Sequence, residues 1–175
     1  MTIKRSKNIN EVIYPFIYEK SPLCDYEVLT DELCSRLCMI LANIDDDMVD
    51  LRSDLERIQE IIYHINGSIR GKLAVDETDL QWLHLRYNIY RQECEDRRIG
   101  FILPRGKHPI AALNLAKCNI KKVLRQLVII DNAGIEIPAI ISPMLNLLGN
   151  MFFILTLVIN KRRNQLETPF ISKSY

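Results

Sequence analysis

Apolar residues at Met48, Leu51, Leu55, Ile58, Ile62, Ile65 and Ile69 alternate steps of three and four, which draws one narrow seam along a helix over about residues 46 to 70. The same rhythm runs through Leu80, Leu83, Tyr87, Tyr90 and Cys94, through Leu113, Ala116, Ile120, Val123, Leu127 and Ile130, and through Met144, Leu148, Met151, Leu155 and Val158. A shorter amphipathic stretch from Tyr26 to Leu41 supplies Val28, Leu33, Leu37 and Ile40. The pattern predicts five helices with no strand between them. Seams of this kind pack at about +20°, the geometry of antiparallel bundles, so the expected fold is an all-α five-helix antiparallel bundle. Residues 26 to 163 form that domain, with an N-terminal arm over 1 to 25, ordered or mobile, and a tail over 164 to 175. Connections are short except for residues 97 to 108, whose Phe101, Pro104 and Gly106 suggest a functional loop.

Composition narrows the partners. A length of 175 residues with 48% hydrophobics suits one domain with a core of its own. A formal charge of +1 makes no global field for nucleic acid or an anionic membrane, so a basic site must be local. Cys24, Cys34, Cys38, Cys94 and Cys118 form no CxxC pair and follow no signal sequence, which fits reduced thiols and a cytoplasmic protein. The most apolar stretch, residues 139 to 160, is interrupted by Asn146, Gly149 and Asn150. Its clean run from Met151 to Ile159 is shorter than the roughly 20 residues that cross a bilayer, so a buried core helix is expected. Cys34 and Cys38 and the isolated His64, His84 and His108 lack the company that metal sites need. The acidic run Asp45, Asp46, Asp47, Asp50 and Asp54 reads as carboxylates that complement the dipole at the start of the second helix, ahead of magnesium capture. No metal ligands are predicted.

The helix over about 110 to 131 carries the candidate chemistry. Lys117, Lys121 and Arg125 step along the edge of its apolar arc at one-turn spacing. Lys117 lies nearest the arc and should be partly desolvated, in want of an anion, while Lys122 points away. Three such cations suit a polyphosphate or a solvated face, and spacing alone favours the solvated face.

The segments LTDELCS (29 to 35), LERIQ (55 to 59), FILPRG (101 to 106), AKCNIKKVLR (116 to 125) and LNLLGN (145 to 150) add a further constraint. In order and spacing the chain resembles the propanediol-utilisation type of ATP:cob(I)alamin adenosyltransferase. That family's pattern has a T-V-D-E-L-N-S core, an L-x-x-I-Q helix, an F-I-L-P-G-G loop, an A-R-x-x-x-R-R-A-E-R helix and a final L-N-R-L-S-D helix. The resemblance implies a five-helix bundle with ferritin-like packing, assembled as a homotrimer. It further implies transfer of the 5′-deoxyadenosyl group of ATP, with Mg2+, to the cobalt of a reduced corrinoid (cobalamin), and a corrinoid-dependent enzyme as recipient. By the same resemblance Phe101 displaces the lower axial ligand of the corrinoid, Asp31 pairs with Lys117, Lys121 and Arg125 face the phosphates, and Asn146 and Asn150 stand in the last helix of the site.

The departures from the pattern cluster. The family's N-terminal T-R-x-G-D-x-G-x-T loop brings backbone N–H groups to phosphates, yet the first glycine here is Gly67. Three arginines of the A-R helix become Lys117, Lys121 and Lys122, its glutamate becomes Leu124, and the S-D pair becomes Gly149 and Asn150. Of the A-R helix only Arg125 survives in kind, so nearly everything missing belongs to ATP, while the corrinoid-side Phe101 loop and the bundle seams are kept. Two readings follow: a divergent adenosyltransferase, or a trimeric bundle that binds a corrinoid without ATP chemistry.

Overall fold

The computed structural model describes residues 3 to 97 and 100 to 174. Its helices are α1 (Pro22–Leu41), α2 (Val49–Ser68), α3 (Glu77–Glu93), α4 (Ile110–Asn132) and α5 (Ile141–Arg162). The seams predicted from periodicity are buried: Leu51, Leu55, Ile58, Ile62 and Ile65 on α2, Leu113, Ala116, Ile120, Val123, Leu127 and Ile130 on α4, and Met144, Leu148, Met151, Leu155 and Val158 on α5. Each such leucine or isoleucine contributes about 2 kcal/mol when withdrawn from water.

Side-chain bonds between the helices set their directions. Tyr26 of α1 donates to the carbonyl of Ile65 near the end of α2 at 3.1 Å. Gln126, late in α4, donates to the carbonyl of Pro22 at the start of α1 at 2.7 Å, and Arg163, just past α5, reaches the carbonyl of His108 just before α4 at 3.0 Å. Successive helices therefore alternate up and down. α1 lies against α2 and α4, α4 against α5, and α3 against α5. Because α3 and α5 both run up, their C-terminal ends meet, and Arg162 forks onto Glu93 at 2.8 and 2.9 Å.

α5 is buried on nearly every side, including Leu145, Phe152, Ile154, Leu157 and Ile159. By length and composition it could span a bilayer, but 67% of its most apolar window is buried inside the bundle. It is the central helix of the core.

Two features differ from the sequence-based expectation, and a third is one of the alternatives it left open. First, α1 begins at Pro22, four residues before Tyr26: the Ser21 side chain accepts from the Leu23 N–H and proline occupies the first turn, a strong start signal. Second, a small antiparallel ribbon is present, β1 (Phe101–Leu103) with β2 (Thr168–Phe170). Third, the described part of the arm is folded against α1 and α2. Arg70 grips Glu19 at 2.7 and 3.2 Å and Glu27 at 2.9 Å, and its guanidinium stacks on Phe16 at 4.2 Å.

Candidate functional site

The loop bearing Phe101 is fixed at the upper end of the bundle. Phe101 pairs with Phe170, Ile102 with Pro169 and Leu103 with Thr168. Residues directly opposite in such a ribbon share a face. Ile102 packs on the core, and Phe101 stands on the other face with Phe170, 60% and 45% exposed. Beyond Pro104 the chain turns at Gly106, whose φ of +147° suits only glycine, and a Cβ there would meet Ile110 Cγ2 at 2.7 Å. Arg163 then ties the loop to α5 through the His108 carbonyl while gripping Asp45 with two bonds of 2.7 Å.

Lower on the bundle, α4 and α5 bound a groove of about 300 Å³ lined by Lys117, Ile120, Lys121, Leu124, Asn146, Gly149, Asn150 and Phe153. The helices approach closely here, for a Cβ on Gly149 would stand 3.1 Å from Ile120 Cγ2. The structure thus brings together four of the predicted site residues: Lys117, Lys121, Asn146 and Asn150. Lys117 donates to Asn114 Oδ1 at 3.1 Å, with its ammonium 5.2 Å from the Phe153 ring. Burial holds its pKa below the usual lysine range, opposed in part by the charge of Cys118 and helped least by that of Lys121. The expected desolvation of Lys117 is therefore present.

Lys121 also borders a second groove of about 400 Å³, shared with Leu29, Lys122, Arg125, Gln126 and Ile129 along the α1–α4 seam. Lys122 was expected to point away but joins Lys121 and Arg125 here, because the edge of α1 extends the wall to that side of α4. Among the described residues Lys121, Lys122 and Arg125 have no ion-pair partner. Two adjoining grooves with uncompensated cations make a surface suited to an extended anion.

The Asp31–Lys117 pair implied by the resemblance is not formed within the chain. Asp31 sits on the edge of α1 that faces α2 and accepts from the Tyr63 hydroxyl at 3.3 Å, whereas Lys117 sits on the edge of α4 that faces α5. Asp31 instead lines a cavity of about 460 Å³ between the arm and the bundle, with Ile13, Tyr14, Ile17, Glu27, Val28, Tyr63 and Asn66. Burial, then the bond and charge of Glu27, push the Tyr14 phenol up to about 12. Carboxylates line this cavity, which suits it poorly to a polyanion.

Phe101 lies apart from the grooves. Lys117 is seven residues into α4, on the order of 10 Å along the axis from the loop. Sequence reasoning missed Phe170 and Lys122, and the first had no local signal, since a three-residue strand in a tail is defined only by its partner.

A family model described as cobalamin adenosyltransferase matches residues 19–159. The chain belongs to the cobalamin adenosyltransferase family. Its relatives of known structure include a phenylalanine-to-alanine variant of a PduO-type ATP:corrinoid adenosyltransferase from Lactobacillus reuteri complexed with cobalamin and ATP. It is 21% identical, with 89% of this chain and 90% of that chain covered at a TM-score of 0.77. An arginine-to-lysine variant of the Lactobacillus reuteri protein complexed with ATP is 23% identical, with the same coverage and TM-score. At these identities the likeness establishes the fold. No curated protein matches the sequence. Set beside the cobalamin adenosyltransferase family pattern, this chain has the FILP segment, and its N-terminal arm, which carries no glycine, is locked on Arg70.

Proposed function

We propose that the chain transfers the 5′-deoxyadenosyl group of ATP to the cobalt of a reduced corrinoid. The observation that carries this reading is the set of unpaired cations Lys121, Lys122 and Arg125, set in adjoining grooves beside the desolvated Lys117. In the transfer, cobalt(I) supplies the electron pair that forms the bond to C5′, the C5′–O bond breaks, and triphosphate leaves with that bond's electrons. Cations already in place lower the cost of the developing charge. Lys121 and Arg125 face the phosphates, with Lys117, Asn146 and Asn150 at the floor of the groove, and Phe101 meets the corrinoid. Magnesium arrives on the triphosphate: among the described residues no cluster of three or more His, Cys, Asp or Glu stands ready for a metal.

The working form is a homotrimer in the cytoplasm that hands its product to a corrinoid-dependent enzyme. Since Asp31 and Lys117 lie on opposite flanks of one chain, their pairing would join neighbouring copies and bring the arm cavity of one against the α4 face of the next.

A second reading, a bundle that holds a corrinoid without ATP chemistry, is favoured by the carboxylates lining the arm cavity and the lack of a glycine loop. An anaerobic assay with chemically reduced cob(I)alamin, ATP and magnesium separates the two. The light-sensitive adenosylated product, lost in Lys121→Ala, supports transfer. Bound corrinoid without product supports the second reading.

A further inference from the structure

Three-residue strands are too short to hold themselves together, and in this ribbon Pro169 has no N–H to offer opposite Ile102. Something else must align the tail. Arg97, at the end of the 3-10 turn Glu95–Arg97, donates to the Gln165 carbonyl at 2.7 Å and to Glu167 Oε2 at 3.3 Å. The other oxygen of Glu167 accepts from Asn160 Nδ2 at 3.3 Å. Asn160 is buried in the last turn of α5, and the Arg97 and Glu167 side chains are only 17% and 10% exposed. One carboxylate therefore fastens the tail to the central helix and to the turn that leads into β1. Glu167 directly precedes Thr168, and Arg97 stands four residues before Phe101. The network thus governs where both strands enter the ribbon.

We infer that residues 164 to 170 are a strap, and that Glu167 is a positioning residue whose bonds to Arg97 and Asn160 set Phe170 beside Phe101 and so fix the aromatic edge that meets the axial base of the corrinoid. This rests on the corrinoid reading above. Without the clamp the tail retains its backbone pairing only intermittently, Phe170 leaves the shared face, and Phe101 stands alone on a loosened strand. The corrinoid is still held through its ring, but its base is no longer driven from the cobalt.

The test uses the full chain with ATP, magnesium and cob(II)alamin under anaerobic conditions, and reads by EPR the fraction of cobalt(II) that has lost the nitrogen splitting of its base. Cob(II)inamide, which lacks the base, reports binding alone. Loss of a partly buried, charge-assisted bond predicts that Glu167→Ala lowers the base-free fraction about tenfold while changing cob(II)inamide affinity by no more than about twofold. Glu167→Gln keeps an acceptor for Arg97 and restores most of the fraction. Independently of any ligand, the amides of Leu103 and Phe170 exchange faster with solvent in Glu167→Ala than in Glu167→Gln or the unaltered chain. Unchanged exchange in Glu167→Ala overturns the strap, as does a base-free fraction equal to that of the unaltered chain. Failure of the unaltered chain to bind either corrinoid removes the corrinoid reading and the role of Glu167 toward it, while the exchange experiment still decides whether Glu167 holds the ribbon.

Discussion

Lysine in place of arginine changes what the α4 face can do. An ammonium is a point charge with three rotatable donors, and it lacks the planar fork that holds two phosphate oxygens at once. Lys121 borders both grooves, so Lys121→Arg should tighten nucleotide binding several-fold and Lys121→Ala should weaken it about tenfold, as read by calorimetric titration with magnesium and ATP. Asn119 is a second residue with a measurable cost. It is buried on α4 with neither amide atom bonded, and Asn119→Leu should raise unfolding stability by about 1–2 kcal/mol in urea titrations. Gly106 is the reverse case: Gly106→Ala, strained at φ +147° and pressed on Ile110, should cost about 2–3 kcal/mol or loosen the Phe101 loop, visible as a lower urea midpoint or faster amide exchange over residues 101 to 109. The desolvation of Lys117 was legible from its angle beside the apolar arc. Lys122 was not, because a helical wheel gives direction but not how far the edge of a neighbouring helix extends.

At the scale of elements, the seams of α2, α4 and α5 were legible because burial imposes the period that the sequence displays. The ribbon was not: Phe101 and Phe170 become neighbours only once the bundle brings the α3–α4 loop to the tail. Whether the arm is ordered was left open for the same reason, since Arg70 lies 51 residues from Glu19. Acid should test the ends of the elements. The two-bonded contact with Arg163 holds the Asp45 carboxyl below its usual range, and Arg162 does the same for Asp50. A depressed carboxylate stabilises the fold above its unfolded pKa, near 4, and that contribution is lost as pH falls through the folded value. Unfolding stability should therefore drop below about pH 4 more steeply in the unaltered chain than in an Asp45→Asn, Asp50→Asn double variant, measured as urea midpoint against pH.

For the whole molecule, acidic and basic surfaces lie on opposite flanks: Glu27 and Asp31 by the arm cavity, Lys117 to Arg125 along α4. A ring of copies would set one against the other. If Asp31 meets Lys117 between copies, Asp31→Lys should weaken assembly by about 2 kcal/mol per contact, and adding Lys117→Asp should restore it, as followed by sedimentation. No pattern of spacing could have told an intrachain pair from one between copies, because the flank on which a residue lies is set by packing. The central place of α5 also bears on how the protein is made. Residues 22 to 132 leave the ribosome at about 5–20 residues per second with the seams of α1 and α4 already drawn but the helix that fills the core still unmade. The nascent chain must hold an incomplete, apolar-lined bundle until residues 141 to 162 emerge, so any interruption of synthesis before that point releases a species made to aggregate rather than a smaller version of the fold.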